Sequence, residues 1–173
     1  MNQQRYGGLH LVLLLAILSA YLPSGFAQTS NSTASDTVKR TMATVLAHCH
    51  MKSDGIEMIT FIPPSNEEFE TIKSLGAAAI EPLSIYLEAR EDGGFTQLFA
   101  VKFLTALRNP SALAALQRAF DQDQWEVTRM AALAGMFETL KAAAEPYVEA
   151  ALEDTSPVVR HMAESLWAEY KPH

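Results

Sequence analysis

The sequence has a single cysteine, Cys49, so it cannot form an internal disulfide. In an oxidising compartment the fold must rest on its hydrophobic core, and Cys49 is either buried or pairs with a second chain. The sequence also lacks clustered cations, because 13 Lys and Arg are scattered among 20 Asp and Glu, for a formal net charge of −7. Nucleic acid and anionic membranes require a basic footprint, so this balance argues against both as the main partner.

No apolar run is long enough to span a bilayer. The longest covers residues 11–22 and is about half of the ~20 residues that a transmembrane helix needs. Arg5 is the only charge before it, Pro23 ends it, and small residues lead to Ala27. This pattern predicts a signal peptide over residues 1–27, cleaved after Ala27, and export to the periplasm or the medium with no membrane span in the mature form. An uncleaved anchor stays open as the alternative.

Catalytic motifs are missing as well, including Gly-x-Ser-x-Gly, a phosphate-binding glycine loop and Cys-x-x-Cys. The cluster His48-Cys49-His50 is the one stretch that suggests a metal site. On a helix, His48 and His50 would project about 160° apart and could not close on one ion. We therefore predict no metal and no other cofactor. An extended segment would put both histidines on one face, which leaves a metal-binding accessory protein open.

The region before the repeats is atypical. Residues 28–36 contain nothing more apolar than alanine, which predicts a flexible leader. Residues 37–51 have the periodicity of an amphipathic helix, and residues 56–62 are β-rich but lack an obvious partner strand. We predict that residues 37–64, a helix and an extended segment, cap the array that follows. The predicted buried stripe of the helix consists of Val38, Met42, Val45, Leu46 and Cys49.

An internal repeat is the strongest pattern in the chain. The segment that begins at Leu75, with three alanines, proline and glutamate, recurs at Leu140, and Leu107 lies halfway between them. The unit is therefore about 32 residues long, and each unit reads as two antiparallel helices. In the first unit, Ser65 and Glu68 have the spacing of a capping box, and Gly76 suits a left-handed helix end. We expect a partner helix over residues 79–90.

The start of the last helix carries a family resemblance. Residues 154–163, with Asp154, Pro157, Arg160 and Ala163, resemble the helix-start motif of HEAT-like repeats, in particular the short bacterial kind named after phycobilisome lyases. The resemblance covers residues 65–170. It implies an all-α fold, a short α-α superhelix of about three helix pairs plus a terminal helix. The motif residues are structural, so the resemblance says little about chemistry.

Stacked helix pairs present surfaces that bind peptides or proteins. We therefore expect a non-catalytic protein–protein interaction module that works outside the cytoplasm. The alternatives are an enzyme or enzyme subunit, such as a lyase-type HEAT protein, and the metal-binding accessory protein. The candidate partner contacts are the aromatic residues that are hardest to bury, and the C-terminal helix also offers a surface for self-association. These residues are Trp125, Trp167 and Tyr170.

Overall fold

The computed structural model describes residues 25–53, 56–59, 61–89, 94–122 and 125–170 of the 173-residue chain. Residues 1–24, most of the predicted signal peptide, lie outside this part. The chain divides into two compact units, residues 1–32 and 33–173. In the described part, helices dominate both units, and none of these helices combines the length and the apolar content needed to cross a bilayer. The expectation of a helical fold is confirmed.

Helix α1 spans Gly25–Cys49. It includes residues 28–36, for which the sequence predicts a flexible leader, and this part of the prediction differs from the structure. The reason lies at Ala34, which is 2 % exposed and extends the buried stripe by one turn before Val38. Helix formation is cooperative, so a helix buried at Ala34 and Val38 extends readily into the predicted leader. The prediction of a leader assumed that an alanine side chain is too small to anchor this stretch by burial, whereas Ala34 is buried.

A two-stranded hairpin follows α1 directly. Strand β1, His50–Ser53, pairs antiparallel with β2, Ile56–Ile59, and His50 lies opposite Ile59. The helix predicted to reach residue 51 therefore ends at Cys49, because the next residues are held in a strand ladder. The sequence indicated β2 but not its partner, since β1 reads as the last turn of an amphipathic helix. Asp54-Gly55, the two residues between the strands, is a hairpin signal that was missed.

The first helix of the array, α2, spans Asn66–Leu75 and has the predicted capping box. The Glu68 backbone N–H donates to Ser65 Oγ at 3.3 Å, and the Ser65 N–H donates to Glu68 Oε2 at 2.6 Å. These bonds satisfy backbone donors that the first helical turn leaves unpaired. The partner helix α3 covers only Ile80–Ile85 and continues as the 3-10 turn Tyr86–Glu88, shorter than the predicted 79–90.

The rest of the array alternates longer and shorter helices. The first helix of each later pair is α4, Phe95–Ala106, or α6, Glu126–Leu140. Their partners are α5, Leu113–Gln122, and α7, Glu145–Leu152, and the terminal helix α8 spans Pro157–Tyr170. Helices α2, α4, α6 and α8 each contact the next in this series, α5 contacts both α4 and α6, and α7 contacts both α6 and α8. The first helices thus form one row, on which the partner helices pack.

The turn between the two helices of a pair recurs in all three units. Gly76, Arg108 and Lys141 each follow a leucine and have positive φ angles of 55°, 47° and 53°. Each of these turns leads into a short 3-10 segment, in order Gly76–Ala79, Pro110–Ala112 and Lys141–Ala144. The last residue of each segment is a fully buried alanine. A positive-φ residue after a leucine, followed by a 3-10 segment that ends in a buried alanine, thus recurs three times, and the alanines are Ala79, Ala112 and Ala144.

Helix α4 lies at the centre of the core. Eight of its twelve residues are buried, so only a narrow part of its circumference faces solvent. It approaches α6 closely where Gly135 faces Thr105, because a Cβ added at Gly135 would lie 2.2 Å from Thr105 Oγ1. The absence of a side chain at Gly135 thus sets how near the two helices come. The buried residues of α4 are Thr96, Gln97, Leu98, Phe99, Ala100, Val101, Phe103 and Leu104.

Candidate functional site

The two histidines considered as metal ligands belong to different elements. His48 lies in the last turn of α1, with its Nδ1 3.9 Å from Glu68 Oε1, whereas His50 begins β1. The prediction that both histidines lie on one helix is therefore wrong, because the helix ends at Cys49 and His50 pairs in the hairpin. Within the described residues, no three His, Cys, Asp or Glu side chains come together in a group that could hold a metal.

Cys49 is buried at the end of α1, at 1 % exposure. Its thiol donates to the Ile62 carbonyl oxygen, with an Sγ to O distance of 3.7 Å. This contact joins α1 to the segment after β2, whose Phe61 ring stacks against Phe99 at 5.7 Å. Of the two fates left open for the thiol, the structure shows the buried one. A buried side chain of this kind is a packing residue.

Trp125, one of the candidate partner contacts, is the residue before α6 and is 38 % exposed. Its indole lies on Gly94, the left-handed residue before α4, because a Cβ at Gly94 would meet the ring at 2.7 Å. Val127 and Val158 occupy equivalent first-turn positions of α6 and α8 and are also exposed, at 48 % and 45 %. Trp125 therefore has a packing role at the start of α4 and an exposed edge.

Trp167 and Tyr170 lie on α8. Trp167 is partly buried and packs against the hydrophobic core, so the last helix covers the end of the array with this side chain. Tyr170 is the last residue of α8, and its side chain falls outside the described part. Of the three candidate aromatics, Trp125 thus precedes α6, and Trp167 and Tyr170 lie on α8.

The starts of α6 and α8 are joined by an ion pair. The Arg129 guanidinium donates from Nε to Asp154 Oδ2 at 2.9 Å and from a terminal nitrogen to Oδ1 at 2.7 Å. Asp154 also accepts from the Ser156 N–H at 2.7 Å, and the Ser156 hydroxyl bonds Glu126. The hydrogen bond from Arg129 is the main cause that lowers the pKa of Asp154. This geometry positions helices, which agrees with a structural role for the motif residues.

A groove of about 720 Å³ crosses α2, α4 and α6. Its floor consists of small side chains where α4 faces α6, including Ala106, Ala131, Ala134 and Gly135. Phe69 of α2 lies at its side and contacts Phe103 edge-on at a centroid distance of 5.2 Å. The groove opens to solvent.

The charged residues of the groove are mostly cations. Lys73, Lys102 and Arg108 contribute positive charge, and Glu138 contributes the one carboxylate of the lining. Lys73, Thr105 and Glu138 occupy the same position in successive units, three residues before the positive-φ residue of each. Aligning the three units residue by residue would have shown that these side chains share a face. The leucines and alanines that define the repeat do not reveal this shared face, so the groove was not predicted from the sequence.

Polar groups also occur in the core. The Gln97 side chain is fully buried, and neither its amide oxygen nor its amide nitrogen has a hydrogen-bond partner among the described residues. The Thr128 hydroxyl also has no hydrogen-bond partner among the described residues, and Thr128 is 1 % exposed. Both lie near the starts of their helices, α4 and α6, and neither lines the groove. An unpaired buried amide costs free energy, so we assign these residues no binding role.

No family model matches the chain, and no curated protein and no solved structure matches it either. The groove across α2, α4 and α6 is accordingly judged on its own geometry and charge.

Proposed function

We propose that this chain is an exported, non-catalytic protein-binding module whose residues 65–170 form a short array of HEAT-like repeats. The array consists of three helix pairs plus α8, and the partner binds in the groove across the first helices. The observation that carries the proposal is the groove itself, because one position of each of three successive units contributes to its lining through Lys73, Thr105 and Glu138. A repeat array uses such a row of equivalent positions to hold an extended ligand.

The chemistry of the groove supports binding over catalysis. A catalytic site requires a nucleophile or a general acid or base within hydrogen-bonding reach of its helper groups. Of the lining residues, only Thr105 offers a hydroxyl, and its Oγ1 is buried against Gly135. Among the described residues, Glu138, Lys73 and Lys102 form no hydrogen bond with another residue of the lining. Asp154 and Tyr86, whose pKa values are lowered by Arg129 and raised by burial respectively, lie outside the lining. The enzyme alternative has no comparable support.

A selection from a library of random linear peptides, with purified protein as bait, tests the proposal. Ala134 lines the groove and is partly exposed, so Ala134→Trp fills the floor without entering the core. The selected peptides should bind this variant about tenfold more weakly than the unmodified protein, because the indole occupies their position. Ala114→Trp on the exposed side of α5 is the matched control and should leave binding unchanged.

Two results would contradict the proposal. The first is a selection that enriches no peptide over an unrelated bait. The second is a set of peptides that bind Ala134→Trp as well as they bind the unmodified protein. Thermal unfolding followed by circular dichroism shows whether both tryptophan variants keep the native fold, so that a loss of binding can be assigned to the groove.

A further inference from the structure

The groove has the opposite charge to the chain as a whole. The sequence carries a formal net charge of −7, whereas the groove lining has three cations and one carboxylate. Charges farther apart than about 8 Å are largely screened at physiological salt. A ligand seated in the groove therefore interacts mainly with the local cations. The contrast points to a ligand that is itself negatively charged.

The three cations have few competing partners. The Lys73 ammonium pairs with Glu70 at 2.8 Å, but both side chains are solvent-exposed, and such a pair exchanges readily. The Lys102 ammonium lies 5.9 Å from the centroid of the Phe61 ring, a contact that leaves its charge available. The Arg108 side chain is exposed, and no described residue forms a hydrogen bond or ion pair with its guanidinium. All three cations can thus form an ion pair with a carboxylate of a ligand.

The backbone holds Arg108 in place beside the groove. Its positive φ of 47° and the hydrogen bond from its N–H to the Thr105 carbonyl, at 3.0 Å, fix the turn that carries the side chain. The planar guanidinium presents its N–H donors as a fork, so Arg108 can bind a carboxylate in a bidentate manner. The small floor beside it lets a polypeptide backbone approach α4 and α6 closely.

We propose that the groove binds an extended, acidic segment of a partner protein, with its Asp and Glu side chains directed to Lys73, Lys102 and Arg108. This inference rests on the proposed function and specifies its ligand. A folded partner surface fits less well, because the floor is recessed between two helices. Glu138, on the α6 side, repels carboxylates from that edge of the groove. The acidic side chains of the ligand therefore lie on the α2–α4 side.

Fluorescence anisotropy with two labelled peptides of equal length tests the inference. One peptide alternates glutamate with serine and glycine, and the other has lysine in place of each glutamate. The glutamate peptide should bind the purified protein, with an affinity that falls as salt is raised, and the lysine peptide should not. In the double variant Lys102→Glu with Arg108→Glu, the affinity for the glutamate peptide should fall by about tenfold or more.

A matched control has the same residue types and the same change in net charge. Lys39 and Arg40 are exposed on α1 and lie outside the groove lining, so Lys39→Glu with Arg40→Glu changes only the long-range field. This control should lose less than about threefold in affinity. An equal loss in both double variants would show that general charge drives the binding, and it would overturn the inference.

Other outcomes separate this inference from the proposed function. If library peptides depend on Ala134 but contain no excess of Asp or Glu, the binding groove stands and the acidic ligand is wrong. If a single-stranded oligonucleotide displaces the glutamate peptide at lower concentration, the ligand is nucleic acid and the inference fails. If light scattering shows dimers that the Lys102→Glu and Arg108→Glu variant dissociates, the occupant is a second copy of the chain, and the inference fails as well.

Discussion

Lys141 has a backbone conformation that favours glycine. Its φ of 53° and ψ of −122° match those of Gly76, at 55° and −135°, in the first unit. A side chain in this region clashes with its own backbone, which costs on the order of 1–3 kcal/mol. Lys141 adopts this conformation because the turn places Ala144 in the core, where it is buried. The conformation thus belongs to the position in the repeat and not to the residue type.

Replacing Lys141 with glycine should therefore stabilise the protein. We expect the free energy of unfolding to rise by about 1 kcal/mol, after the greater flexibility of glycine in the unfolded chain is deducted. Urea denaturation followed by circular dichroism measures the change. The reciprocal variant, Gly76→Lys, is the control. It should destabilise by a similar amount although no atom lies within 4 Å of the added Cβ. If Gly76→Lys has no effect, backbone strain is not the cause.

At the scale of helices, the junction of α6 with α8 depends on Asp154. Its carboxylate has a side-chain exposure of 9 % and bonds Arg129 through both oxygens. Because these bonds lower the pKa of Asp154 in the folded state, the folded protein binds the proton less tightly than the unfolded chain does. The stabilisation is complete above the unfolded pKa of about 3.9 and is lost as the pH falls through the lower folded pKa.

Asp154→Asn should lower the free energy of unfolding at neutral pH by about 2 kcal/mol, because it leaves the Arg129 charge without its partner. The difference from the unmodified protein should shrink as the pH falls below about 4, because the unfolded chain then binds a proton at Asp154 before the folded protein does. Urea denaturation at several pH values measures this. Asp121→Asn, an exposed change on α5, should have an effect below about 0.5 kcal/mol at every pH. A difference that does not depend on pH would contradict the assigned role.

The helices with strong periodicity were predictable, and the elements that depend on non-local pairing were not. Ser65 and Glu68 set the start of α2 through local hydrogen bonds, which the sequence displays directly. Strand β1 was read as helix because its pairing with β2, and not its own residues, determines its conformation. The groove was missed for a similar reason. Lys73, Lys102 and Glu138 are far apart in sequence and become neighbours only when three helices pack.

At the scale of the whole molecule, export remains a prediction that a direct measurement can decide. When the complete chain is produced in a secretion-competent bacterium, we expect the exported protein to begin at Gln28, as determined by intact mass. Ala27→Arg should block the cleavage, because the peptidase pocket requires a small residue at that position. The control variant Ser30→Arg, three residues beyond the cleavage site, should leave the mature N-terminus at Gln28. A full-length protein retained in the cytoplasm would contradict the prediction.

The burial of α4 also has a consequence for the order of folding. A helix buried around most of its circumference gains little stability until the elements on both sides are present. On the export route proposed above, the chain emerges with its N-terminus first, so the apolar residues 95–106 leave the channel before α6 can cover them. During that interval the segment is a site for aggregation and a target for chaperones that hold unfolded chains. On that route we expect the first stable form of the array to include α6.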